Sequence, residues 1–210
     1  MALTFTLDPK PDPDLRTAVV RLWTDVTNAG GAVGFVAPVT EEEVWDTADR
    51  QFAGLAPDGP DRLLVAHESA TGRLVGVLFF ASMRFAPMEH WRMLKRVMVH
   101  PDFQGLGHGA ELLAEAERVA RAWGLESLRL TARGGLGLER FYARCGYREV
   151  GRVPAAIRVA PGDDRDDVTM WLDLRRPAVE EGRRPPGPRP VSGMLDWETR
   201  PGSNQKDVSQ

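Results

Sequence analysis

The sequence predicts an α+β protein, with one mixed sheet covered by helices on both faces. Three observations carry that prediction. Apolar spacing alternates between a period of two and a period near 3.6, giving the order strand, two helices, three strands, helix, strand, helix, two strands. A glycine-rich turn, Gly105-Leu106-Gly107-His108-Gly109, joins a strand-like run to an amphipathic helical one. Beyond Arg176 the periodicity stops.

Leu3, Phe5 and Leu7 alternate with polar residues and predict a short opening strand, ended by Pro9, Pro11 and Pro13. Asp14 is placed to cap a helix whose apolar face carries Leu15, Val19, Leu22 and Val26; Gly30 and Gly31 stop it. A loop rich in glycine and small apolar residues follows over 30–39. Thr40 with Glu43 three residues on reads as a capping box for a second helix, running to about Gly54. After a turn at Asp58-Gly59-Pro60, residues 63–67 and 73–83 read as strands joined by a hairpin turn at Thr71-Gly72. A third strand covers 91–99 and ends at Pro101. Residues 107–123 read as a helix, with Leu112, Leu113, Ala116, Val119 and Ala120 on one face and Gly124 as its stop. Residues 126–132 read as a strand and 138–145 as a short helix stopped by Gly146. Two closing strands are expected over 147–153 and 168–174, with the stretch between them, containing Pro161-Gly162-Asp163-Asp164, as turn or loop. Trp123 and Trp171 are expected in the core.

From Pro177 onward roughly 30% of residues are Pro or Gly, a composition that signals disorder. The chain therefore divides into a domain over 1–176 and a tail over 177–210. The net charge of -3 argues against nucleic-acid binding, which favours a basic excess. No basic segment followed by an apolar run opens the chain, and the longest apolar stretch, 74–83, is too short to span a bilayer. The single cysteine, Cys145, cannot form an internal disulfide, which points to a reducing compartment, most simply the cytoplasm. Metal-ligand spacing of His and Cys is absent, so no metal is expected.

The most informative stretch is Val97-Met98-Val99-His100-Pro101-Asp102-Phe103-Gln104-Gly105-Leu106-Gly107-His108-Gly109-Ala110. Three glycines at alternate positions let backbone approach a ligand closely. The unpaired N–H groups of the first helical turn then face that ligand, and the helix dipole favours an anion. No acidic side chain enters the turn before Glu111. A Walker A loop is excluded because His108-Gly109-Ala110 is not Gly-Lys-Ser/Thr, and a Rossmann fingerprint because the spacing is G-x-G-x-G after several strands.

V-x-V-x-P followed by Q-x-x-G-x-G resembles the acyl-CoA signature of the GNAT superfamily of N-acetyltransferases, over about 3–174 of this chain. The resemblance implies a largely antiparallel mixed sheet, splayed at the acyl-CoA site. It implies acetyl-CoA as cosubstrate, with its pyrophosphate on Gln104, Gly105, Leu106, Gly107, His108, Gly109 and Ala110. The pantetheine arm would pair with the backbone of Val97, Met98 and Val99. Phe141-Tyr142-Ala143-Arg144-Cys145-Gly146-Tyr147 is similar to the family's second signature, which implies Tyr142 as general acid for the departing thiolate. A phenol, with pKa about 10, can protonate a thiolate whose thiol has pKa about 8.5 at modest cost. A half-buried core aromatic is the alternative for Tyr142.

Two departures stand out. Where many members carry Asn-x-x-Ala, this chain has Arg133-Gly134-Gly135-Leu136-Gly137-Leu138. Where some relatives place a glutamate base, it has Met93. Glu89 and His90, just before the strand, are the nearby candidates for a base; a water chain without a dedicated base also fits. Arg92, Lys95 and Arg96 put charge on a central strand, to pair with acids near the acceptor cleft or to face solvent. The runs 90–97 and 150–154 are loosely similar to small-molecule acetyltransferases of the tabtoxin-resistance type. The expected function is acetyl transfer to a primary amine of a small molecule, with no nucleic-acid or membrane partner and a second copy of the chain as a candidate partner. The alternatives are a non-catalytic acyl-CoA-binding module and transfer of a longer acyl group.

Overall fold

The computed structural model describes residues 2–55 and 59–175. The expected boundary after 176 and the tail 177–210 lie outside the described residues. The described part is built from seven strands and four α-helices in the order β1 (Leu3–Leu7), α1 (Pro13–Asn28), α2 (Glu41–Ala53), β2 (Arg62–Glu68), β3 (Leu74–Ala81), β4 (Trp91–Val99), α3 (His108–Ala122), β5 (Ser127–Arg133), α4 (Leu138–Arg144), β6 (Arg148–Ala160) and β7 (Asp163–Asp173). The strands form one sheet in the order β1-β2-β3-β4-β5-β7-β6. Only the β4–β5 pair is parallel, so the sheet is mixed and largely antiparallel, as expected.

Helix ends follow local chemistry. Asp12, not Asp14, caps α1: its carboxylate accepts from the Leu15 N–H, and Pro13 occupies the first turn, where a missing N–H costs nothing. Thr40 and Glu43 form the expected capping box of α2. The core lies on both faces of the sheet. Val19, Trp23, Val44 and Phe52 from α1 and α2 pack on Leu63, Val65, Val77 and Phe79. Leu112, Leu113, Ala116 and Ala120 from α3 pack on Leu64, Leu78, Phe80 and Leu128 across the other face. The helices thus sort the alternate residues of each strand into two cores.

Two expectations are corrected. The stretch between the closing strands is not loop: β6 and β7 run on as a long hairpin, turned only at Pro161-Gly162. It escapes the periodicity rule because β6 is an edge strand with almost every residue exposed, so no face is selected to be apolar. Trp123 is 38% exposed, its ring meeting Phe80 edge-on at 5.0 Å, at the rim of the core. Trp171 is only partly buried, its ring tilted against Trp91 at 5.5 Å.

Candidate active site

β4 and β5 pair only from Trp91↔Ser127 to Met93↔Arg129. Beyond Met93 they part, and the rest of that β4 edge has no strand beside it. The groove so opened has a volume of about 720 Å³. Val97, Val99 and the 104–110 turn form one wall; Thr131, Leu138 and Tyr142 form the other; Gly31 and Val33 of the α1–α2 loop close one side.

β4 also carries a bulge. Val77 pairs with Met98 and Phe79 with Lys95, so Arg96 and Val97 together face Leu78. Arg96 has φ of 53°, and a bulge leaves backbone groups out of the ladder. The Arg96 guanidinium lies over the Trp23 ring at 4.7 Å, and desolvation pulls its pKa down from the usual range. Arg92 instead donates to the carbonyls of Glu89 and Trp91, and Lys95 is exposed. None of the three pairs with an acid among the described residues.

Past β4, a 3-10 turn at Pro101–Phe103 leads into the glycine turn. The Gln104 side-chain amide donates to the Val99 carbonyl at 2.9 Å and fixes the turn to the strand end. Gly105 and Gly107 have φ of 76° and 91°, and a Cβ on either would meet nothing within 4 Å. Gly107 is the N-cap of α3 and supplies no side-chain cap, so the first N–H groups of the helix stay free. At Gly109 a Cβ would come within 3.1 Å of Phe141 Cζ, so this glycine lets α3 approach α4. Open space, free donors and the positive end of a helix dipole together fit a pyrophosphate.

Tyr142 is 7% exposed and faces the groove from α4. Its ring lies 5.2 Å from Phe141 and 5.9 Å from Tyr147. Burial first, and the Cys145 thiol second, push its phenol well above the usual tyrosine range. Cys145 also lines the groove, with its thiol pushed up by burial.

Of the expected binding residues, Val97, Val99, Gln104, Gly105, Gly107, Gly109 and Ala110 line the groove. The side chains of three others point elsewhere. Met98 is 1% exposed in the core beneath α1, and Leu106 is 61% exposed. The His108 ring is 4% exposed, with Nδ1 3.3 Å from Glu111 Oε1. None of these three is among the residues that line the groove. Glu89 and His90 are not brought to the groove: both are exposed and precede β4 at its β5-paired end, so the paired rungs separate them from the opening. Met93 sits at the last paired rung, beside Arg129.

The sequence reading missed the bulge and the arginines of β5. Arg129, Thr131 and Arg133 alternate with buried Leu128, Leu130 and Ala132, a period-two signal for an open polar face. Arg133 donates through Nη2 to the Phe35 carbonyl at 2.9 Å and so holds the α1–α2 loop. Among the described residues no group of three or more His, Cys, Asp or Glu could hold a metal ion, and no helix is long and apolar enough to cross a membrane.

A splayed central strand running into an uncapped glycine turn is an arrangement that fits an extended, phosphate-bearing ligand. The particular family follows from comparison: residues 19–147 match the acetyltransferase (GNAT) family, and the chain belongs to it. A curated relative, a mycothiol acetyltransferase from Nocardiopsis dassonvillei, is 29% identical over 92% of this chain but only 49% of its own length. The chain thus spans about half the length of that relative. Among solved structures, one provisionally assigned as a phosphinothricin N-acetyltransferase superposes with TM-score 0.68, at 21% identity, over 82% of this chain and 99% of its own. A Salmonella typhimurium structure holding acetyl-CoA superposes with TM-score 0.63, at 20% identity, over 87% of this chain and 100% of its own. At these identities the structures support the fold.

Proposed function

We propose that this chain transfers an acetyl group from acetyl-CoA to a primary amine of a small molecule. The observation that carries the reading is the groove: an unpaired β4 edge ending at the free N–H groups that open α3 after Gly107, with Tyr142 on the facing wall. The pyrophosphate would rest on the 104–110 turn, and the pantetheine amides would pair with the backbone near Val97 and Val99.

The amine attacks the thioester carbonyl carbon, and the C–S bond breaks. Backbone N–H groups released by the Arg96–Val97 bulge would steady the developing oxyanion. The thiolate takes its proton from the Tyr142 hydroxyl. The pushed-up phenol pKa keeps that proton in place throughout the working pH range, and makes its transfer costlier than for an exposed phenol. With Glu89 and His90 away from the groove, the amine proton leaves to water.

The test is release of free CoA from acetyl-CoA in the presence of a panel of small primary amines, with the acetylated product identified by mass. Acetyl-CoA bound but never consumed would favour a non-catalytic acyl-CoA-binding module instead. The position of Glu89 and His90 is the observation behind that second reading.

A further inference from the structure

Arg96, Arg129 and Arg133 each bury an Nε–H group that has no hydrogen-bond acceptor among the described residues. Arg133 has one partner through Nη2, the Phe35 carbonyl. Arg96 and Arg129 have no polar partner among the described residues and lie beside aromatic rings, Trp23 at 4.7 Å and Trp91 at 6.0 Å. Neither forms an ion pair among the described residues. A buried donor left unmatched carries its full desolvation penalty, which is larger on a charged group. A guanidinium cannot relieve that cost by losing its proton. Three such groups in one region call for an acceptor.

Their placement says what the acceptor is. Arg129 stands at the last rung before β4 and β5 part. Thr131, next on the same face, is exposed and lines the groove; Arg133 follows. Arg96 stands in the β4 bulge, three residues past the last paired rung. The guanidinium of Arg96 packs on Gly34, where a Cβ would fall 2.7 Å from Nη1, while Arg133 holds the adjoining Phe35. Arg129 and Arg133 therefore flank the groove-lining Thr131 on the α1 side, beside the groove rather than in its lining. Thr169 and Trp171, on the strand beside β5, are only partly buried. Arg133 has acids beside it, Asp163, which also pairs with Arg165, and Asp167 opposite it in the ladder, whereas Arg96 and Arg129 have no acid in ion-pair reach among the described residues.

We infer that the acceptor carries an oxyanion in addition to its amine, and that Arg129 and Arg96, beside the groove on the α1 side, bind it. This rests on the N-acetyltransferase reading above. The guanidinium fork matches a carboxylate or phosphonate in two parallel hydrogen bonds, and the orphaned Nε–H is one of the donors such a pair uses. The CoA pyrophosphate is not that anion, because its turn lies past Val99, at the far end of the unpaired stretch from Arg129. A carboxylate on the acyl group of the donor has the same chemistry, and the experiment separates the two sources.

The full-length enzyme, supplied with acetyl-CoA, is given an aliphatic α-amino acid and its primary amide as acceptors. The amide has the less basic amine and is the better acceptor where no anion site exists. The expected result is a kcat/KM for the acid about tenfold or more above the amide, equivalent to about 1.4 kcal/mol. Arg129→Gln should abolish that preference by raising KM for the acid, leaving the amide and acetyl-CoA affinity nearly unchanged. An aminoalkylphosphonic acid of the same length shows which oxyanion fits better, and its acceptance supports the site. Equal use of the amide, or a preference that survives Arg129→Gln, overturns the inference. So does faster turnover with succinyl-CoA than with acetyl-CoA that is lost in Arg129→Gln, since the carboxylate would then belong to the donor. A second readout needs no turnover: succinate titrated into the acetyl-CoA complex should shift the Arg129 Nε–H resonance, assigned by its loss in Arg129→Gln. No shift overturns the inference. A shift without acetylation of any amine leaves the anion site standing and removes the N-acetyltransferase reading.

Discussion

The side-chain amide of Gln104 donates to the carbonyl oxygen of Val99 at 2.9 Å, closing the turn back onto the strand that leads into it. This single bond sets where the free N–H groups of α3 stand relative to the β4 edge. Gln104→Ala should loosen the turn without touching the core. We expect acetyl-CoA to bind about three- to tenfold more weakly, a loss of the order of one hydrogen bond. The melting temperature should be nearly unchanged. Calorimetric titration and thermal unfolding check both halves.

Gly107 has open space where a Cβ would stand, at a φ of 91°. Gly107→Asp therefore folds, at a cost of about 1–2 kcal/mol for the left-handed backbone. Its carboxylate points where the pyrophosphate would lie. Acetyl-CoA binding should be lost in the same titration, and unchanged affinity would remove the phosphate assignment from this turn.

Tyr142→Phe keeps a ring packed between Phe141 and Tyr147 and deletes only the hydroxyl. If Tyr142 protonates the thiolate, kcat falls by about 100- to 10,000-fold with acetyl-CoA affinity preserved. Burial holds the phenol above the pH range of an assay, so its ionisation does not shape the alkaline limb. The wild-type and Phe profiles should therefore keep the same alkaline limb. A Phe variant turning over at near wild-type rate reduces Tyr142 to a packing residue.

Tyr147 is 2% exposed and its hydroxyl has no hydrogen-bond partner among the described residues. Burial first, then Tyr142, raise its phenol well above the ordinary value. The folded state keeps this proton after the unfolded chain has lost it. The tyrosine's contribution to stability is thus whole below about pH 10 and declines as pH rises further, by up to about 1.4 kcal/mol per pH unit. Tyr147→Phe should be neutral or slightly stabilising near neutral pH and should flatten the loss above about pH 10. Urea unfolding at a series of alkaline pH values measures it.

Composition predicts that residues 177–210 add nothing to folding, because they hold too little apolar surface to offset ordering entropy. A chain ending at Arg176 should melt with the full chain, and a large drop in melting temperature would show that Leu195 and Trp197 dock on the domain.

What could be read from the sequence was whatever leaves a local chemical mark. Thr40 and Glu43 mark a helix start, and Gln104 with Gly105, Gly107 and Gly109 marks the turn. The buried face of α3 repeats with helical period. The closing hairpin left no mark, because the residues of β6 bury almost nothing and were free to be polar. The bulge at Arg96 left none either: an arginine at φ 53° is held by its neighbours, not by its own preference. The orphaned donors became visible only when β4 and β5 were placed side by side. The displacement of Glu89 and His90 from the groove likewise depends on which end of β4 pairs with β5.

β6 forms the outer border of the sheet and exposes Val150 and Val153 by more than half. A border of that length is a template onto which another polypeptide could add, strand upon strand, into aggregates. Its own residues counter this. Pro154 deletes a donor, and the left-handed Ala155 breaks the ladder between Val153 and Ile157. Arg152 is drawn into ion pairs with Glu149 and Asp166, and Arg158 into one with Asp164. Resistance to fibrous stacking is therefore written at the rim farthest along the sheet from the first strand, in residues that take no part in the groove.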